Sequence, residues 1–171
     1  MNSNQDTTSF FQRDTFSSST SRSLIAGAIG GLAGTAVKGL VEKFLKVRKV
    51  EQRSAQIKIV DELSTKITGS PISVHNEALA EQLVNFPVGV SIGAAYGYGK
   101  KKKDKLNIRD GVILGSSTWA STHETSFPLL GLKESPTEIP LRLQANELFA
   151  HVLFGVTTEL VRDYVNKKLK E

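Results

Sequence analysis

The chain opens polar. Residues 1–23 are mostly Ser, Thr, Asn and Gln, with Phe10, Phe11 and Phe16 scattered among them at no fixed period. That composition predicts a disordered amino-terminal tail. It is not a secretory signal, because no basic start leads at once into an apolar core and a small-residue cleavage site. From Leu24 to Val37 the chain is uncharged, LIAGAIGGLAGTAV, and Lys38 only interrupts an apolar run that reaches Leu45. Crossing a bilayer takes about 20 such residues. Counting through Leu45 reaches that length if Lys38 and Lys43 carry their ammonium groups to the surface. Next, Ile57, Val60, Leu63 or Ser64, and Ile67 recur at helical spacing, with Asp61, Glu62 and Lys66 on the other face. The pattern predicts a short amphipathic helix over 55–67, lying on the membrane surface or on a bundle and ended by Gly69-Ser70-Pro71. Residues 76–98 begin polar and turn apolar, with Pro87 placed to kink the helix or open its apolar half. A third stretch, 111–132, is rich in Ser and Thr and carries His123 and Glu124. Residues 133–140 read as a loop, and a fourth stretch follows from Leu141 to Tyr164. Helices are expected near 24–43, 79–98, 110–127 and 145–163.

The glycines decide the environment of these helices. Gly27 and Gly31 are four apart, as are Gly30 and Gly34, and Thr35 and Gly39 continue the first row. Gly93 and Gly97 repeat the spacing, and Gly155 interrupts the last helix. In water each helical Gly costs up to about 1 kcal/mol relative to Ala. In lipid, rows of small residues let a second helix approach closely. Gly27, Gly30, Gly31, Gly34, Gly39, Gly93, Gly97 and Gly155 are therefore the expected packing residues. Gly31→Leu should disrupt folding or self-association, and Gly31→Ala should be milder. The expected fold is all-α: a transmembrane bundle of three or four helices spanning 24–171, with a short amphipathic surface helix, behind a tail over 1–23.

Charge adds an orientation. Tyr96 and Tyr98 precede Lys100, Lys101, Lys102, Lys103 and Lys105. Apolar residues, then tyrosines, then lysines is the order of a helix end at anionic headgroups. The rival, a nucleic-acid patch, has only an isolated basic run behind it. Expected partners are thus the lipid bilayer and a second copy of the chain, and not nucleic acid. Near-membrane basic residues at 100–109 favour both termini in the cytoplasm.

Composition narrows the chemistry. Cys is 0, which removes disulfides, thiolate nucleophiles and zinc-thiolate or iron–sulfur sites together. A net charge of +5 suits an anionic surface. Gly99-Lys100 is no phosphate loop: Ala94 stands where the motif needs Gly, and Lys101 where it needs Ser or Thr. His123-Glu124 does not continue into HExxH, and no serine-hydrolase elbow is present. No catalytic set and no cofactor are expected. The polar candidates are His123, Glu124, Glu147, His151, Glu159 and Glu42, read as one buried cluster. Glu147 and His151 are four apart on one helix face, and Gly155 and Glu159 continue that row. Pairing that fixes helix register, a proton-sensing His–Glu pair, and a divalent metal held by His123, Glu147 and His151 are the three readings open.

HETSFPLLGL at 123–132 and NELFAHVLFGVTTELVRD at 146–163 go with AGAIGGLAGTAVKGLVEKFL and GAAYGYG. In this order, over roughly residues 24–165, the chain resembles the YagU-like family of small bacterial inner-membrane proteins. The resemblance implies a multi-pass inner-membrane protein with a role in envelope or acid-stress physiology. Two other readings stand beside it: a soluble or peripheral helical bundle with a His/Glu metal site, and a membrane-surface adaptor.

Overall fold

A computed structural model of the chain describes residues 6–47, 53–100 and 105–171. Among them there is no strand; the fold is all-α. Helix α1 covers Asp6–Phe44, α2 Ala55–Thr68, α3 Glu77–Lys100 and α4 Ile108–Ser121. A π-helical turn, Thr122–Ser126, joins α4 to the single turn α5, Phe127–Leu129, and α6 runs from Leu141 to Lys168.

Local chemistry sets these bounds. Ser54 caps α2, its hydroxyl accepting from the amide of Ile57 at 3.2 Å, and Gly69 ends it at φ 80° with its N–H on the Thr65 carbonyl. Lys66 pairs with Glu62 one turn back and holds that carboxyl below its ordinary pKa. Asn107 caps α4 through the amide of Arg109 at 3.2 Å. Pro87 sits inside α3 without ending it. The π turn has its cause in Pro128. A proline cannot donate to the carbonyl four residues back, and its ring collides with that carbonyl. The chain widens one turn earlier instead, and the hydroxyls of Thr125 and Ser126 reach the carbonyls of Ala120 and Ser121, five residues back, at 2.9 and 2.7 Å.

At its amino end α1 departs from the expected tail. It begins at Asp6, well inside the stretch read as disordered. Residues 6–23 hold neither Gly nor Pro, and extending an existing helix is far cheaper than nucleating one.

Glycine seams set the bundle. Toward α3, α1 presents Gly27, Gly31 and Thr35; a Cβ on Gly31 would strike the Gly89 carbonyl, and one on Gly93 would lie 2.6 Å from Gly31 Cα. Toward α6, α1 presents Gly30 and Gly34; Cβ atoms there would lie 2.5 Å from the Thr158 carbonyl oxygen and 2.6 Å from that of Phe154. On its other side α6 packs against α4, Gly155 against Gly111 and Gly115. The order across the bundle is therefore α3, α1, α6, α4. Gly39 takes no part, since a Cβ there meets nothing within 4 Å. Gly89, four residues before Gly93, extends the α3 row as its spacing suggests, and Gly111 and Gly115 do packing that the sequence reading left unassigned.

Polarity runs inside out. Over 23–37 of α1, 82–99 of α3, 111–122 of α4 and 146–163 of α6, no charged side chain is exposed. The exterior there is Leu24, Ile25, Ile29, Leu32, Leu83, Val88, Val112, Ile113, Phe149 and Leu160, with small and hydroxyl residues between. The charged groups Glu147, Glu159, Arg162 and Asp163 are buried instead. By length and composition one helix is apolar enough to cross a membrane: Ser19–Phe44, with a stretch of mean hydropathy 1.6 that is only 33% buried.

Candidate functional site

The charged residues expected in one cluster divide into two, at opposite ends of α6. Glu147 and Glu159 are twelve residues apart, about 18 Å along a helix, and they have no partner in common.

The first cluster forms where the carboxyl ends of α1 and of the α4–α5 rod meet the start of α6. His123 donates from Nδ1 to Glu147 Oε1 at 2.7 Å, and Lys133 donates to Glu147 Oε2 at 2.5 Å. Lys133 Nζ also lies 3.5 Å from His123 Nδ1. All three are nearly buried. His151, 3% exposed, donates from Nδ1 to the carbonyl of Glu147, one turn back, at 2.8 Å. The rings of His123 and His151 meet edge to face at 4.8 Å, and Phe127 closes on His123 the same way at 4.9 Å. Lys38 and Glu42 of α1 pair at 2.7 Å and line the same hollow as His123 and Glu147. Of the residues picked from sequence, His123, Glu147, His151 and Glu42 thus come together. Glu124 does not join them: its Oε1 is buried with no hydrogen-bond partner among the described residues.

The metal reading finds no ligand set here. Both oxygens of Glu147 are engaged, and His151 Nδ1 is tied to its own helix. Among the described residues no group of three His, Cys, Asp or Glu could hold an ion.

The second cluster surrounds Glu159, which is 0% exposed. Arg162 grips it from Nε and a terminal nitrogen at 2.7 and 3.0 Å, the Tyr96 hydroxyl donates at 3.0 Å and the Asn107 amide at 2.9 Å. Lys100 stands 3.4 Å from Glu159 and 2.6 Å from Asp110. This corrects the headgroup role expected of Lys100, which is 7% exposed and bound inside the bundle. Lys105 is exposed; Lys101, Lys102 and Lys103 lie outside the described residues. Four hydrogen-bond donors on one carboxylate, with the Lys100 ammonium beside them, meet the need of a buried charge for full hydrogen bonding. The cluster ties the ends of α3 and α4 to α6.

Lys133, Asp110 and Arg162 were not singled out in the sequence, and Tyr96, read there as one of the tyrosines at a headgroup boundary, instead donates to Glu159 inside the bundle. A lone lysine in a loop carries no signal. Arg162, three residues after Glu159, did carry one, the i,i+3 ion pair.

Two hollows adjoin the first cluster. One, of about 30 Å³, is lined by Lys38, Glu42, Arg53, Glu81, Lys133 and Glu147 among others. The other, of about 70 Å³ and more open to the surface, lies among Thr35, Asn85, Val88, Ile92, Thr118, Thr122, His151 and Phe154. Lys38, Gln56 and His123 border both.

Glycine-seamed helices with an apolar exterior and charges gathered inside define a helical bundle whose polar groups serve its interior. The chain belongs to the DUF1440 family of proteins of unknown function, whose model matches residues 32–160. That range takes in the glycines of α3, α4 and α6 and all of the first cluster, but not Gly27, Gly30 and Gly31 of α1. No curated protein and no solved structure matches the chain.

Proposed function

We propose that this chain is a small multi-pass protein of the bacterial inner membrane, with both termini cytoplasmic, acting in envelope or acid-stress physiology. The observation that carries the reading is the inverted polarity of α1, α3, α4 and α6. A bundle in water hides its leucines and shows its charges. Here leucine, isoleucine and valine face out, and every charge in the central turns faces in, where each finds hydrogen-bonding partners or a neighbouring helix. A lipid surround makes that arrangement favourable. Lengths agree: α3 rises about 29 Å from Glu81 to Lys100, close to the ~30 Å of a hydrocarbon core. Tight glycine contacts are likewise suited to lipid, where association depends on close packing rather than on apolar burial. In this reading α2 lies along the surface, with Ile59, Leu63 and Ile67 exposed for it.

The physiological part rests on the likeness to the YagU-like family and on the His123–Glu147 pair, which has chemistry suited to a response to protons. The proposed partners are lipid and a second copy of the chain. Carbonate extraction of membranes is the direct test. Retention in the pellet is expected; release as a monodisperse protein without detergent would end this reading. A reporter active only in the periplasm, fused to the carboxyl end, should stay silent.

A further inference from the structure

We infer that the bundle carries a lipid-binding groove: a slot between α3 and α4, open sideways to the bilayer, that takes an acyl chain of phosphatidylethanolamine and holds its headgroup at the α2 end. The inference rests on the membrane reading and adds to it the class of lipid and the place where it sits.

Helix α3 packs on α1 and α4 on α6, and the two outer helices do not pack on each other. They stand as walls over a floor made by α1 and α6. At one end the walls are tied together, since Tyr96 of α3 and the Asn107 amide before α4 both donate to Glu159. Toward the α2 end they part, and the larger hollow lies between them. Its α3 wall is Asn85, Val88, Gly89 and Ile92, one helical stripe about 10 Å long. Val88 is 49% exposed, so this wall reaches the outside of the bundle. Phe127 and Phe154 add aromatic surface. The polar side chains in the slot already have partners. Thr35, Thr118 and Thr122 each donate to a carbonyl of their own helix, at 2.8, 2.8 and 2.7 Å, and Asn85 accepts from Gln56 at 3.0 Å. Walls satisfied in this way lie against hydrocarbon at little desolvation cost.

The slot adjoins the smaller hollow, for Lys38, Gln56 and His123 border both. There the walls carry three cations, Lys38, Arg53 and Lys133, and three carboxylates, Glu42, Glu81 and Glu147. The floor helices end and begin nearby, at Phe44 and Leu141, which sets this hollow near the headgroup level of a bilayer. An anionic headgroup would meet as many carboxylates as cations. A headgroup that joins a phosphate to an ammonium meets both with the opposite sign. Lys38 gives one ammonium hydrogen to Glu42 and has two left for a phosphate oxygen; Glu42 uses one oxygen on Lys38 and has the other for an ammonium. Paired charges at headgroup depth and an apolar slot at hydrocarbon depth follow the polarity of a single phospholipid molecule.

The test uses the full-length protein, stripped of lipid in detergent micelles and offered equal amounts of phosphatidylethanolamine and phosphatidylglycerol with matched acyl chains. Native mass spectrometry then counts the lipid that stays on each chain. One phosphatidylethanolamine per chain is expected, retained at least several-fold over phosphatidylglycerol. Thr118→Phe, which fills the slot, and Val88→Trp, which covers its open side, should each lower that retention several-fold. Ile113→Phe, on the exposed outer face of α4, should leave it unchanged. Val88 lies at the half-exposed rim, so its variant carries the test if Thr118→Phe does not fold. Equal retention of the two lipids overturns the charge matching, and full retention in Val88→Trp overturns the groove. A lipid-free mass of two chains that the same variants abolish gives the groove to a second copy and overturns the proposal as well. Carbonate extraction keeps the two readings apart: release from the membrane ends the membrane reading, whereas a chain that stays in the membrane and holds no phosphatidylethanolamine ends this proposal alone.

Discussion

The carbonyl oxygen of Gly111 stands where a Cβ on Gly155 would go, and the amide nitrogen of Gly115 lies 2.5 Å from the same point. Both obstacles are backbone and cannot swing aside. Gly155→Ala should therefore destabilise the bundle by about 1–3 kcal/mol, the usual cost of overpacking. Thermal unfolding in detergent micelles reads this directly, and an unchanged midpoint would show that α4 and α6 stand further apart.

Gly31→Ala should behave like Gly155→Ala, and not mildly as spacing alone suggests, because the Gly89 carbonyl meets its Cβ. Gly39→Ala is the contrast. Its Cβ enters open space, so helix propensity alone acts and stability should rise by up to about 1 kcal/mol. The two variants measured side by side separate a seam from a mere glycine.

Glu159→Gln keeps shape but removes the charge that Arg162 grips at two points. A loss on the order of 3 kcal/mol is expected, as for a buried pair with one partner removed. Tyr96→Phe deletes a single hydrogen bond to the same carboxylate and should cost about 1 kcal/mol. Equal effects would mean that the carboxylate is hydrated and not enclosed.

Glu147→Gln leaves Lys133 buried without its counter-charge, whereas Lys133→Met removes that cation. The double variant should be more stable than the sum of the two single losses predicts, with a coupling of about 0.5–3 kcal/mol. Additive losses would show that the 2.5 Å contact contributes nothing.

Pro128→Ala restores the amide that the α-helix lacks, and with it the reason for the π turn disappears. The turn should revert to α-helical winding and rotate His123 away from Glu147. The ring ¹⁵N shifts of His123 should move while those of His75 do not. Unmoved His123 shifts would place the cause of the π turn elsewhere.

Much of this fold was legible because glycine at four-residue spacing has few other uses in a helix. Gly27 with Gly31, and Gly30 with Gly34, marked two faces of α1 before any partner was known. Which helix met which face was not legible, since that depends on how residues from about sixty to well over a hundred positions away pack. Glu147 and Glu159 were read as one site because they share a helix stripe. The 18 Å between them follows from the rise per residue and was available from spacing alone. Lys100 was misread for a different reason. In sequence it opens a run of lysines at the end of an apolar segment. What draws it inside is Asp110 across a short connection and Glu159 from a helix that follows much later, and no local pattern records either.

Helix α1 meets α6 through Gly30 and Gly34, so α1 leaves the ribosome long before the helix it seats. During synthesis that glycine groove stays open until α6 has been made. Assembly cannot proceed by adding each helix to a finished neighbour; α1 must be kept available, held by lipid or by an insertion factor, while α3 docks on its other side. A chain terminated before residue 150 would carry an exposed, self-complementary glycine groove. Such fragments should be the forms most readily captured by quality control or by each other.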